Sequence, residues 1–216
     1  AGEGVAKDYE SASYTSTDAG SNNGSDVANW VFDSARKAGD SAVVASDSNC
    51  YVVVFRSVGR QEYATKDVRH ILFKVDESAL DSEAETYEAD LQAAKDAAKT
   101  AAEDALAQWK AGEATEDSFA ALANELSTDA GSNTNGGLYT KIYKNQMVTE
   151  FNDWCFDASR QSGDTGIVYG ESSNYKGYHV MYFVGDDVPY WQVQAENALR
   201  NTDTEAWLDG LLDSAE

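Results

Sequence analysis

The sequence has few basic residues and no long apolar run. Its 216 residues include 16 Lys and Arg against 38 Asp and Glu, which gives a net charge of −22. Phosphate backbones repel so acidic a chain, and no basic stripe offsets this, so no nucleic-acid partner is expected. No apolar run approaches the roughly 20 residues of a membrane helix, and the opening AGEGVAKDYESAS lacks the regions of a signal peptide. No transmembrane segment is therefore predicted.

Proline and cysteine are equally scarce. With a single proline, Pro189, the chain's own folding is not expected to be limited by prolyl isomerisation. Cys50 and Cys155 permit one disulfide at most, and their apolar neighbours predict two buried free thiols. No Cys/His pair has zinc-ligand spacing, and the polar loops lack the dense carboxylates of a calcium site. Neither a metal nor another cofactor is predicted.

A polar heptad, STDAGSN, occurs twice, at residues 16–22 and 127–133. Residues of these types favour loops, because their side chains bond the local backbone and glycine tolerates positive φ. Similarity resumes where WVFD at 30–33 matches WCFD at 154–157, and β-rich segments close both copies. The offset grows from 111 to 124, so the second copy holds 13 extra residues, within GGLYTKIYKNQMVTEF. The chain therefore contains an internal duplication that differs at one place.

The segment between the copies, residues 63–126, occurs once. Its opening KDVRHILFKV alternates with a period of two, which predicts a strand. A capping-box pattern at 82–85 predicts the start of a helix, whose apolar face recurs at spacings of three and four as far as Trp109. A short helix at 119–126, a third helix in MVTEFNDWCFDAS and a closing strand in GYHVMYFV follow. The order predicts an α+β fold.

This order of elements resembles the parvulin family of peptidyl-prolyl cis-trans isomerases. The resemblance is carried by VRHILF, FAALANELSTDAGSNTNGGLY, QMVTEF, SGDTGIV and KGYHVMYF, in one colinear run over residues 67–185. It implies a four-stranded, mostly antiparallel sheet with surrounding helices. A degenerate copy beside an intact one is further similar to the PrsA-like extracytoplasmic foldases of bacteria.

The resemblance implies three catalytic residues, His70, Asp129 and His179. The two histidines are the only ones in the chain, and the family places them in contact across adjacent strands. Asp129 matches a position that faces the substrate carbonyl. Structural interpretations remain open: two core histidines that satisfy each other's hydrogen bonds, and an aspartate that orders an Asx turn.

The resemblance also implies a set of substrate-binding residues: Leu138, Met147, Phe151, Ser173 and Tyr178. Met147 and Phe151 lie four apart on one helical face and would line the proline-ring pocket with Leu138, although such a pair usually indicates core packing. The hydroxyl that many parvulins bond to the histidines has no unshifted match in SSNYKGYH, where Ser173 is the candidate. No Lys/Arg cluster follows the first strand, so selectivity for phosphorylated Ser/Thr–Pro is not predicted.

These patterns predict three parts: a truncated, non-catalytic parvulin-like repeat at 1–62, a parvulin domain at 63–186, and a helical tail at 187–216. The first part lacks the first strand and long helix of its fold. Either the sequence begins inside a longer chain, or another molecule, as in a dimer, supplies the missing elements.

The function implied is peptidyl-prolyl isomerisation of unfolded or secreted, proline-containing polypeptides at an extracytoplasmic location, with the export signal or lipid anchor absent from this sequence. The barrier is amide resonance, so a catalyst need only grip the proline ring, exclude water and favour the twisted amide. The alternative is a holdase that binds extended segments without catalysis.

Overall fold

A computed structural model describes residues 24–46, 49–57, 59–172 and 175–213. They fall into two compact units that divide between Arg60 and Gln61. Within the described part of the chain, no helix is long and apolar enough to cross a membrane. The first heptad, with Asp18, lies outside the described residues.

The described residues of the first unit form a helix followed by a hairpin. Helix α1 spans Ser25–Val31, and strands β1 (Ser41–Ser46) and β2 (Asn49–Val54) pair antiparallel. Both thiols of the chain are free, and Cys155 is buried as predicted. Cys50 is exposed, so that prediction is wrong, because its side chain lies on the open face of a two-stranded sheet.

The duplication is visible in the backbone of the two copies. Gly39 and Gly163, at φ +93 and +89, each donate a backbone N–H to the carbonyl of a phenylalanine, Phe55 and Phe183, at 2.9 Å. The copies also share a cation–π contact: Arg36 lies 4.6 Å from the ring of Trp30, and Arg160 lies 4.1 Å from the ring of Trp154. The two copies therefore share this local geometry, and equivalent positions can be compared between them.

The second unit contains a four-stranded sheet with its helices. The elements in chain order are β3 (Ala64–Lys74), α2 (Tyr87–Ala111), α3 (Glu116–Leu126), β4 (Leu138–Ile142), α4 (Thr149–Cys155), β5 (Thr165–Glu171), β6 (Lys176–Pro189) and α5 (Tyr190–Asp213). The sheet order is β4-β3-β6-β5, and all neighbours are antiparallel. The predicted α+β parvulin-like fold and helical tail are confirmed.

Alternation along the central strands gives the sheet two different faces. On one face, Ile71 and Val180 pack with the small residues and Trp109 of α2 and with α3. On the other face, Val68, Met181 and Phe183 pack against Phe151 and Cys155 of α4. His70 and His179 alternate onto this second face, so the sheet register delivers both to the side covered by α4.

Two element boundaries differ from the sequence prediction. The capping box predicted at 82–85 is absent, because α2 begins only at Tyr87. A capping box does open α3, where Thr115 and Ser118 exchange side-chain and backbone hydrogen bonds. Strand β6 continues to Pro189, which pairs with Ala64, so the sheet extends past residue 186.

Candidate active site

The two histidines meet on adjacent strands β3 and β6. Their Nδ1 atoms are 3.0 Å apart and share a hydrogen bond, and their rings are nearly parallel at 23°. Each residue is only 3% exposed. Burial of two imidazoles requires that each ring nitrogen finds a partner, so the outer nitrogens define the rest of the cluster.

Asp129 holds the outer nitrogen of His70. Its Oδ2 accepts hydrogen bonds from His70 Nε2 at 3.0 Å, from Ser132 Oγ at 2.6 Å and from Tyr139 Oη at 2.9 Å. Its Oδ1 accepts the backbone N–H of Gly131. These donors, His70 first, hold the pKa of Asp129 well below its usual range, so the carboxylate is ionised. The bond to Gly131 confirms that this residue orders the loop, and its catalytic role stays a prediction.

His179 is a neutral imidazole. Desolvation, and after it the neighbouring His70, lowers the pKa of His179 to about 3. Its outer nitrogen, Nε2, lies 3.1 Å from Tyr175 Oη. One proton arrangement satisfies the row: Tyr175 donates to His179, Nδ1–H of His179 donates to His70, and Nε2–H of His70 donates to Asp129. We call these four residues the histidine chain.

Tyr139 is a site residue that the sequence interpretation missed. It pairs with Val68 across β3 and β4, whereas Leu138 pairs with Arg69, and paired residues share a face of the sheet. Tyr139 therefore lies on the histidine face, with ring centroids 5.3 Å apart from His70. Burial, followed by the bond to Asp129, raises the pKa of Tyr139 to about 12.

The prediction for Leu138 is therefore corrected, because its side chain lies on the opposite face of the sheet. The error was one position in a strand, where one position changes the face. The period-two pattern of the strand could have identified Tyr139 once its pairing partner was known.

An apolar wall adjoins the histidines. The ring of Phe151 stands nearly perpendicular to both, with centroids at 5.6 Å from His70 and 5.4 Å from His179. Half-buried Met147 and Val148 pack beside it. Phe151 is 2% exposed and belongs to the core, whereas Met147 is half-buried. That the pair lines a proline-ring pocket stays a prediction.

Tyr178, another predicted substrate contact, does not join the cluster. Tyr178 lies on the face of the sheet away from the histidines and packs with Tyr169 at 5.0 Å, beneath α2. It is therefore removed from the candidate substrate contacts, because neighbouring residues in a strand point to opposite faces. Ser173 lies outside the described residues. The hydroxyl that contacts His179 is that of Tyr175, which the shifted match in SSNYKGYH could have identified.

Glycine permits the close approach of β4 to β3. Gly136 and Gly137 have φ of +74 and +69, and Gly137 accepts the backbone N–H of His70 at 2.9 Å. A Cβ on Gly137 would lie 2.2 Å from the His70 carbonyl oxygen. This pair therefore fixes the backbone that carries His70. Among the described residues, no group of three or more potential metal ligands occurs.

The fold is that of a peptidyl-prolyl isomerase domain of the rotamase type. The sequence model of that family, the PPIC-type PPIase domain, matches residues 70–185, which is more than half of the chain. The chain belongs to this family, and membership confirms the predicted class of enzyme, a parvulin-type peptidyl-prolyl cis-trans isomerase.

Other comparisons add less. No curated protein sequence matches this chain significantly. One solved structure with similarity is that of peptidylprolyl isomerase (PrsA) from Bacillus cereus, with 23% identity and a TM-score of 0.39. The match covers 67% of this chain and 44% of that one, so this chain spans less than half the length of that protein.

Proposed function

We propose that this chain accelerates cis–trans isomerisation of X–Pro bonds in unfolded polypeptides, as an extracytoplasmic bacterial foldase. The observation that carries the proposal is the histidine chain, which ends in an ionised carboxylate beside an apolar wall inside a PPIC-type domain. The location and the substrates rest on the resemblance of the duplicated arrangement to PrsA-like foldases.

The proposed catalyst is the field of the Asp129 carboxylate. A planar amide places partial negative charge on its carbonyl oxygen, and twisting the C–N bond removes part of that charge. A carboxylate beside the oxygen therefore raises the free energy of the planar ground state more than that of the twisted transition state. The Asp129 side chain is 20% exposed, so it can face a bound peptide while its donors hold it in place.

The histidines are proposed as positioning residues. A neutral His179 donates to His70, and His70 donates to Asp129, so the row fixes the direction in which the carboxylate points. No covalent step is needed, because the barrier is amide resonance. Met147, Phe151 and Tyr139 would enclose the proline ring and exclude water from the twisting bond.

The three-part division of the chain is part of the proposal. Residue Tyr51 of the first copy stands at the position of His179 in the second, since Phe55 matches Phe183. The first copy has no histidine. We therefore assign isomerisation to the second copy and a non-catalytic role to the first.

The test is a protease-coupled or direct isomerisation assay on short X–Pro peptides with Asp129→Asn. The substitution retains an oxygen acceptor for His70 and deletes the charge. We expect kcat/KM to fall by about tenfold or more, which corresponds to about 1.4 kcal/mol. The variant should remain folded but have a lower unfolding midpoint, because both oxygens of the ionised Asp129 accept hydrogen bonds that an amide cannot all replace. The matched control is Asp18→Asn in the first heptad, which should leave kcat/KM unchanged.

Two outcomes would contradict the proposal. If both substitutions have equal and small effects, the aspartate of each heptad only orders its loop and Asp129 has no catalytic role. Wild-type protein that suppresses aggregation of an unfolded client without accelerating any X–Pro peptide would instead support the holdase.

A further inference from the structure

We propose that strand β2 of the first unit is a docking edge for an extended, apolar segment of another polypeptide, which adds to the hairpin as a third strand. The inference goes beyond isomerisation, because it concerns the copy without the histidines. In the second copy, strand β3 occupies the equivalent edge.

The two hairpins share one register. Val43 pairs with Val52 in the first copy as Ile167 pairs with Val180 in the second, and Val54 takes the place of Tyr182. In the second copy the far edge of β6 pairs with β3 along its length. In the first copy β2 pairs with β1 and with no other strand of the described residues.

The valine side chains of the first hairpin are far more exposed than their counterparts in the second copy. Val52 is 79% exposed and Val54 60%, whereas their counterparts Val180 and Tyr182 are 0% and 8% exposed. Val43, opposite Val52, is 71% exposed. One face of the hairpin is thus an apolar patch beside the free edge, in a protein that buries the same positions in its other copy. We call it the valine face.

The backbone groups of the edge can be assigned. Phe55 donates its N–H to Asp40, toward β1, so by alternation Val54 and Val52 direct their N–H and C=O groups outward. The sequence of β2, NCYVVV, holds no charge and no proline, the devices that usually protect a strand edge. The edge therefore presents a row of unblocked donors and acceptors.

The occupant is defined by the strand that fills the same place in the second copy. In the second copy, Ile71 of β3 pairs with Val180, and Phe73 lies on the same face of β3. Strand β3 therefore brings alternate apolar residues beside the counterparts of Val52 and Val54. A segment of alternating apolar and polar residues would do the same along β2, with the main chain giving affinity and alternate side chains extending the valine face. Unfolded polypeptides present such segments.

The experiment measures fluorescence anisotropy of a labelled peptide against the full chain. The probe is a short, proline-free peptide of alternating valine and threonine with a lysine at each end. The test variant is Val52→Pro, whose ring blocks the outward edge without removing a β1–β2 hydrogen bond. We expect binding by wild-type protein and at least about tenfold weaker binding by Val52→Pro.

Val43→Pro is the matched control. Because Val43 lies opposite Val52, its N–H points away from β2. The equivalent edge in the second copy, the outer edge of β5, pairs with no strand among the described residues. Val43→Pro changes the same face by the same residue at the wrong edge, so it should bind the peptide like wild type. If circular dichroism shows that Val52→Pro disrupts the hairpin, a second pair of variants repeats the test. Val52→Lys, compared with Val43→Lys, keeps the backbone donor intact.

Three results would overturn the proposal: no binding by wild-type protein, equal loss in the variants of Val52 and Val43, or a concentration-dependent dimer that Val52→Pro abolishes. The last would make the occupant a second copy of this chain. Isomerisation of a short X–Pro peptide should be unchanged in all four variants. Its absence in wild-type protein would count against the proposed function and not against the docking edge.

Discussion

His179 should make the second unit sensitive to mild acid. Burial keeps this imidazole neutral in the folded protein, with its pKa lowered to about 3, whereas in the unfolded chain its pKa is about 6.5. Between these values the unfolded state binds a proton that the folded state does not. Stability is therefore complete above about pH 6.5 and falls as the pH decreases toward 3.

The size of the effect follows from the linkage relation. Over this window one proton of difference gives a slope of about 1.4 kcal/mol per pH unit. Lowering the pH from about 6.5 to about 5 should therefore cost about 2 kcal/mol, a large part of the 5–15 kcal/mol typical of a domain. The lowered pKa of Asp129 adds a further loss only below about pH 4, where the unfolded carboxyl becomes protonated.

The assay measures the free energy of unfolding in urea, monitored by tryptophan fluorescence, at pH values of about 7.5, 6 and 5 for wild type and His179→Gln. The glutamine offers polar partners to the neighbouring residues and does not titrate. The wild-type free energy of unfolding should approach that of the variant as the pH falls, because only the wild type loses the His179 contribution. A difference between the two proteins that stays constant from pH 7.5 to 5 would refute the reasoning.

Two further substitutions test the geometry of the site. Gly137→Ala should cost about 3 kcal/mol or more and lower kcat/KM, because a Cβ would meet the His70 carbonyl at 2.2 Å; Gly163→Ala, at a similar φ with only Tyr182 Oη at 4.0 Å, should cost about 1 kcal/mol and keep activity. Met147→Ala should lower kcat/KM about tenfold with little loss of stability, because this side chain is half-buried. Phe151→Ala should cost about 3–5 kcal/mol as core, so an active, stable Phe151→Ala protein would contradict its placement.

The sequence patterns predicted strands β3 and β6 of the second unit, and the family resemblance implied the four-stranded sheet that contains them. The alternation in KDVRHILFKV places His70 on one face of its strand, and the repeat predicts that both copies share a helix and a β-rich ending. What failed was local. Helix α2 begins at Tyr87 and not after Ser82, because a capping-box pattern shows only that the residues could cap a helix.

Along the strands, the resemblance placed two candidate residues one position away from a residue that lies on the histidine face. That one position decides which face of the sheet a side chain occupies. Leu138 and Tyr139 differ in face, and so do Tyr178 and His179, because the side-chain period of a strand is two. Resemblance places a motif along the chain but does not choose between neighbours. The bond between Tyr175 and His179 depends on how β5 and β6 connect, which no periodicity reports.

The proposed division of labour between the copies predicts where the chain can be cut. The second unit begins near Gln61, and Tyr190 stacks between Tyr63 and Tyr143, at 5.4 and 4.7 Å, while Lys141 bonds Glu196 at 3.0 Å. Residues 61–216 should therefore fold alone and isomerise a short X–Pro peptide within about twofold of the full chain.

A fragment of residues 63–186 should be less stable, because it ends inside β6 and lacks Tyr190. The measurement pairs kcat/KM on a short peptide with refolding of an unfolded, proline-containing protein, for the full chain and for 61–216. We expect the short peptide to be turned over equally by both and the unfolded protein to be handled better by the full chain, since only it carries β2 and the valine face. If 61–216 is folded by circular dichroism yet loses activity on the short peptide, part of the catalytic site belongs to the first copy, and the assignment of catalysis to the second copy alone is wrong.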